Sequence, residues 1–218
     1  MNLRINGAEF HLDVLAGEES FDDPRIEAVF EKWDEILPYF DPEAAGITFA
    51  QAATDLTQGR TGMFLAGSWL QFSLPPEELD EYDFFRFPII DESVALAEEG
   101  PTEGFFASSR TDQPNLAKEF LAFLGTAEAQ EIMFNANPSS TEIPANPNVD
   151  VELTPVLLQG QEILDAAVGG VTQFFNRDSS DALQATADQA LTQYLAGVKS
   201  VSDIIAEWQA EAERVRAG

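Results

Sequence analysis

The sequence predicts an α/β chain that is mostly helical with a few short strands, and three observations carry that prediction. Apolar residues recur at three- and four-residue spacing in stretch after stretch. Most of these stretches open on a capping residue or a proline and close on glycine or proline. Between them lie short runs rich in aromatics, 61–66, 82–87 and 103–108, with the composition of strands.

Asp23-Pro24 opens the first clear helix, because Asp caps free amides and Pro fits the first turn. Ile26, Val29, Phe30, Trp33 and Ile36 follow on one face, which makes Trp33 a core residue, and Pro38 ends the helix. Thr48 begins a second helix through Phe49, Ala52, Ala53 and Leu56, stopped by Gly59. The run 61–66 reads as a buried strand that hands over at Gly67-Ser68-Trp69 to a helix, Pro75-Pro76 with the acids 77–81 as a surface turn, and 82–87 as the next strand closed by Pro88. Residues 91–101 lack a period and read as loop; 103–108 is a further strand. Pro114 starts a helix with Leu116, Phe120, Phe123 and Leu124 on its apolar face; Gly125 breaks it and Thr126 caps the next through Ala129, Ile132 and Met133. The stretch 135–150, with Pro138-Ser139-Ser140, reads as the best linker. Helices are expected over 153–167, stopped by Gly169-Gly170, over 180–196, and after Ser200, whose S-x-x-D pattern is a capping box leading to Ile204, Ile205, Trp208, Ala212 and Val215.

Composition bounds the function. A chain of 218 residues can bury about 70% of its unfolded surface, and 44% hydrophobic residues with 17 Phe, 3 Trp and 3 Tyr supply a core. Eleven basic against 39 acidic residues give a net charge of −28, so phosphate backbones and anionic lipid surfaces would repel the chain. Nucleic acid is excluded as a partner. The acidic surface suits a secreted protein or a salty environment, where screening weakens self-repulsion. No apolar run approaches the roughly 20 residues a membrane span requires. With no cysteine there is no disulfide, thiolate metal site or thiol nucleophile. The single histidine, His11, has no second His with which to share a metal and reads as a surface or internally satisfied residue. Met1 to Asn6 shows no export signal.

No catalytic motif is present: no G-x-S-x-G, no H-E-x-x-H, no glycine-rich phosphate loop and no EF-hand spacing. No catalytic residue, metal ligand or cofactor is therefore assigned. A hydrolase using two of the many carboxylates stays open as the alternative, as does an acidic interaction protein with no small ligand. Trp69 follows a strand and a Gly-Ser turn rather than sitting in a helical stripe, so it reads equally as core and as a wall on which a sugar ring could stack. Phe174-Phe175-Asn176-Arg177-Asp178 offers a similar mixture of aromatic and polar groups, or else a helix entry capped by Asp178 or Ser179.

Several motifs stand in a specific order: Gln58-Gly59-Arg60-Thr61-Gly62-Met63, Gly67-Ser68-Trp69, Phe87-Pro88, Glu103 to Ser109, and Ala117 to Leu124 with Ala127-Glu128-Ala129-Gln130. With Glu18 to Arg25 at the front, this order resembles the extracellular solute-binding proteins, family 1 and sugar type, of ABC importers, from about Asn6 to Arg214. The resemblance implies a periplasmic-binding-protein-like fold of type II, of which this chain is the carboxyl-side portion. It implies a receptor and no enzyme, binding a carbohydrate or similar small-molecule solute in an interlobe cleft and delivering it to ABC permease membrane subunits, in an extracellular or periplasmic setting. Carried over by position, the ligand-binding residues are Trp69, Gly104, Phe105, Phe175, Asn176, Arg177 and Asp178. Members of the family are about twice as long, so the resemblance implies a truncated chain. Residues 1–87 and 138–218 are then expected in the carboxyl-side lobe, and 88–137 in the amino-side lobe whose sheet is missing. Phe120, Phe123 and Leu124 would be left uncovered.

Overall fold

The computed structural model describes residues 1–137 and 140–217. The chain forms two compact units. The first comprises Met1–Thr48, Phe87–Pro101 and Leu164–Gly218, and the second Phe49–Arg86 and Thr102–Ile163. The expected lobe boundaries concern a longer receptor; the compact units of this chain break elsewhere.

The first unit is a helical cluster around one core. It holds α1 (Asn2–Ile5), α2 (Gly7–Ala16), α3 (Pro24–Ile36), α8 (Phe175–Asp178), α9 (Asp181–Leu195) and α10 (Val201–Arg216). Asp23 caps α3 as expected, accepting from the Arg25 amide at 2.8 Å with Pro24 at the first helical position. Ser200 accepts from the Asp203 amide at 3.2 Å and donates its hydroxyl proton to the Asp203 carboxylate at 2.6 Å, so the capping box closes through the hydroxyl itself. Phe10, Val14, Phe21, Ile26, Phe30, Leu183, Ala190, Tyr194, Ile204 and Ala212 form the core, and Trp33 and Trp208 pack against it. Phe30 meets Tyr194 edge-on at 5.2 Å. The Tyr194 hydroxyl donates to Asp34 at 2.5 Å, and burial together with that carboxylate pushes the phenol well above its ordinary pKa.

The two amino-terminal helices carry no sequence-level cap, yet they insert Leu3, Phe10 and Val14 into this unit's interior. Arg4 is buried with them. Its Nε donates to the Phe87 carbonyl at 3.1 Å, Nη1 donates to the Ala97 carbonyl, and Nη2 pairs with Glu98 at 2.6 Å. A fork of donors in fixed geometry thus ties residues 87–98 to α1.

Two short parallel strands complete the unit, β1 (Glu98–Glu99) and β2 (Val171–Thr172), with Glu98 opposite Val171. The stretch 91–101, expected to be loop throughout, therefore contains a strand. Gly169 leads into the pairing: its amide donates to the Leu96 carbonyl at 2.6 Å, and a Cβ there would lie 2.4 Å from the Ala95 oxygen. No residue with a side chain fits without moving backbone.

The second unit contains α4 (Phe49–Thr57), 3₁₀ turns at Ser68–Ser73 and Pro76–Glu81, α5 (Pro114–Leu124), α6 (Ala127–Ala136), and α7 (Pro155–Asp165) up to Ile163. Thr126 caps α6 as expected, accepting from the Ala129 amide at 3.2 Å. The expected strands 61–66, 82–87 and 103–108 are not strands; they run without regular secondary structure, because among the described residues no neighbouring strand offers them a ladder. Side chains take over part of that role. Gln159 of α7 accepts from the Phe84 amide at 2.6 Å and donates to Asp83 at 3.2 Å, holding the 82–87 run against the helix. Thr154 donates to the buried Gln71 at 2.6 Å in the same manner. In the expected linker, Pro138 and Ser139 lie outside the described residues. Its later part is fastened to the α5–α6 pair, with the Asn146 amide donating to Gln130 at 3.0 Å and its side chain donating to the Gly125 carbonyl at 2.9 Å.

On α5, Leu116, Phe120 and Phe123 are exposed at 61%, 58% and 40%, and Leu124 is half-buried. An amphipathic helix normally buries that stripe, so α5 lacks a covering surface among the described residues.

Candidate functional site

The expected site residues fall into two groups, one in each unit. In the second unit Trp69 belongs to the 3₁₀ turn that follows Gly67. Its ring does not stand alone: Phe49, at the start of α4, lies 5.4 Å from it in tilted contact and 5.6 Å from Phe64. The three rings form an aromatic patch in which Trp69 is half-buried and Phe49 is 40% exposed. The indole folds back over Gly67, where an added Cβ would lie 2.3 Å from Nε1. That nitrogen is buried and has no hydrogen-bond partner among the described residues. A buried indole N–H ordinarily finds an acceptor, so this one is a donor in want of a partner.

Gly104 and Phe105 belong to the same unit, in an exposed segment without regular secondary structure; Phe105 is 60% exposed and its neighbour Phe106 is 93% exposed. Sequence reasoning passed over Phe49 and Phe64 as companions of Trp69. The available signal was weak: Phe49 sits at a helix start and Phe64 in a run read as a strand.

In the first unit, Phe175, Asn176, Arg177 and Asp178 form one short helical turn, α8, closed by donation from the Arg177 and Asp178 amides to the Phe174 carbonyl at 2.8 and 3.1 Å. The cap of the following helix is Ser180, which accepts from the Leu183 amide at 3.2 Å; neither Asp178 nor Ser179 performs that role. One turn sends its side chains to different places. Phe175 packs on the core, its ring 6.5 Å from that of Trp208, while Asn176 and Arg177 are exposed. Asp178 is half-buried, and its Oδ2 lies 3.9 Å from His11 Nε2 of α2.

His11 is accordingly neither a surface residue nor an internally satisfied one. It is buried, and its Nε2 has no hydrogen-bond partner among the described residues; the same holds for Asp178 Oδ2 and for the Ser179 hydroxyl. Burial pushes the imidazole below its ordinary pKa, with the Asp178 charge opposing that shift. Among the described residues no cluster of three or more His, Cys, Asp or Glu could hold a metal ion, and no helix is long and apolar enough to cross a membrane.

The aromatic patch of the second unit presents apolar ring carbons, and α8 of the first unit separately carries exposed amide and guanidinium groups. Comparison with known proteins agrees with a receptor. Residues 7–131, more than half of the chain, match the family model of the bacterial extracellular solute-binding proteins. An uncharacterised ABC transporter extracellular-binding protein of Pyrococcus horikoshii is 27% identical over 156 residues, which is 71% of this chain and 33% of that protein. Among solved structures, the bacterial solute receptor AcbH, described as having an exclusive preference for β-D-galactopyranose, superposes with a TM-score of 0.87 at 24% identity. That match covers 98% of this chain and 55% of AcbH, so the fold is a portion of the periplasmic-binding-protein-like fold, and the chain spans only a part of the length of its relatives. The chain belongs to the bacterial extracellular solute-binding proteins, a family of non-enzymatic receptors.

Proposed function

We propose that the chain is the carboxyl-side portion of the substrate-binding component of an ABC importer that captures a carbohydrate and passes it to membrane permease subunits. The observation that carries the carbohydrate part is the Phe49–Phe64–Trp69 patch, in which Phe49 is exposed and Trp69 half-buried. An indole offers an apolar face on which a pyranose ring can stack, the kind of wall that small-ligand sites use. Gly104 and Phe105 in the same unit, and Phe175, Asn176, Arg177 and Asp178 in the other, are proposed as further contributors. Asn176 and Arg177 are exposed, whereas Phe175 would contribute by anchoring its turn. For the complete receptor, 1–87 and 138–218 are assigned to the carboxyl-side lobe and 88–137 to the amino-side lobe.

Titration calorimetry with β-D-galactopyranose, the preference described for AcbH, tests this reading. The 218-residue chain is expected to bind weakly, because it spans only part of the length of its relatives; micromolar binding by this chain would show that the remaining length is not needed for the site. In a polypeptide carrying the chain at full receptor length, Trp69→Ala is expected to cost about 1–3 kcal/mol of affinity, the scale of an aromatic stacking contact on a flat ligand. An unchanged affinity for every sugar tried would remove the stacking role.

A further inference from the structure

Turn α8 is held at two points. Phe175 is fixed in the core beside Trp208, while Asp178 faces His11 across 3.9 Å with neither atom otherwise bonded among the described residues. That separation is too long for a hydrogen bond and short enough for an ion pair. An approach of about 1 Å would convert it into a charge-assisted bond of about 2.7–2.9 Å. The first anchor is apolar and indifferent to protons. The second is an imidazole and a carboxylate whose side chains are only 10% and 20% exposed, so little solvent screens the charge created when the ring gains a proton.

We propose that His11 is a positioning residue: its protonation draws Asp178 toward α2 and thereby resets the exposed pair Asn176 and Arg177 carried on the same turn. The functional meaning rests on the solute-binding reading of α8, and the structural coupling does not. Other charges around the pair are accounted for. Asp178 also faces Glu99 of β1, which repels it and is itself influenced by the Met1 amino group, Arg4 and Glu98. Beside α2, Arg25 of α3 stacks 3.8 Å over the Phe10 ring and pairs with Asp23 and Glu19, and Arg216 of α10 donates to the Val14 carbonyl at 2.8 Å. Asp178 is the charge that acts on His11. Burial lowers the affinity of the ring for its proton and Asp178 restores part of it, so the transition falls on the acid side of the ordinary histidine range.

His11 is the only histidine in the chain, so its ring resonance in a carbon–proton NMR titration needs no assignment. The titration uses the full chain without any sugar. In the unsubstituted protein the ring is expected to titrate below about 6.5, with the amides of Asn176 and Arg177 shifting at the same midpoint. In Asp178→Asn the ring midpoint is expected to fall, since an opposite charge has been removed, and the coupled amide shifts should vanish; His11→Gln should abolish them too. Amides at 175–178 that stay still through the histidine transition would overturn the proposal, and so would a ring midpoint untouched by Asp178→Asn. Because no solute enters, failure here is distinct from failure of the sugar-binding reading, which calorimetry decides.

Discussion

Single residues in this chain are constrained by what their neighbours leave open. Gly67 is required by a ring: the Trp69 indole occupies the volume a Cβ would take, at 2.3 Å from Nε1 and 2.6 Å from Cδ1. Gly67→Ala is therefore expected to displace the indole and to cost about 1–3 kcal/mol, the range for overpacking, measured as a lower urea midpoint together with a shift in tryptophan emission. The backbone at Gly67 is ordinary extended chain, so an unchanged emission maximum would show that the ring, and not the turn, tolerates the methyl group. His11 makes a pH prediction. Its pKa is depressed in the folded state, so on acidification the unfolded chain takes the proton first. The contribution to stability is complete above the ordinary value of about 6.5 and declines as pH falls from there to the folded-state value. His11→Gln is expected to flatten this step in a series of urea midpoints taken against pH. None of this was legible in sequence, where His11 stands between Phe10 and Leu12 with Glu9 and Asp13 just beyond, because burial and the approach of Asp178 depend on residues 167 positions apart (178 − 11).

Among elements, helices were legible and strands were not. Helices α3, α4, α5, α6, α9 and α10 begin and end within a few residues of the positions their caps, prolines and glycines indicate, since a helix satisfies its hydrogen bonds within its own segment. A strand needs a partner that its own residues cannot supply. The aromatic-rich runs 61–66, 82–87 and 103–108 have strand composition but no ladder, while Glu98–Glu99, with no strand character at all, pairs with Val171–Thr172. The short helices α1 and α2 were missed for the opposite reason: they lack side-chain caps and are held by tertiary burial of Leu3, Phe10 and Val14. The pairing of α9 with α10 gives the element-scale prediction. Ile204 is fully buried there, so Ile204→Ala is expected to cost about 2–5 kcal/mol, whereas Ser200→Ala, which removes the cap of α10, should cost about 0.5–2 kcal/mol. Equal losses in chemical denaturation would mean that the helix terminus, rather than the core contact, limits the stability of this pair.

At the scale of the whole molecule, charge and exposed apolar surface oppose each other. A net charge of −28 keeps copies apart, yet the stripe Leu116, Phe120 and Phe123 and the segment Phe105–Phe106 present large side chains to water. Such a face promotes association. Raising salt screens the repulsion and leaves the apolar attraction intact, so self-association measured by light scattering is expected to increase with salt. Phe120→Glu combined with Phe123→Glu should suppress that increase; association falling with salt would assign it to ion pairing instead. The sequence by itself determined the longer helices from α3 onward, the caps at Asp23, Thr126 and Ser200, the acidic surface and the family, because each of these is written in local spacing or in the order of motifs along the chain. Tertiary structure alone decided which extended segments found a partner, that Phe175 turns inward while Asn176 and Arg177 face out, and that the lone histidine meets a carboxylate out of water. Those outcomes depend on contacts between residues far apart in the chain, and no local pattern encodes the energy of a neighbour that folding has yet to bring near.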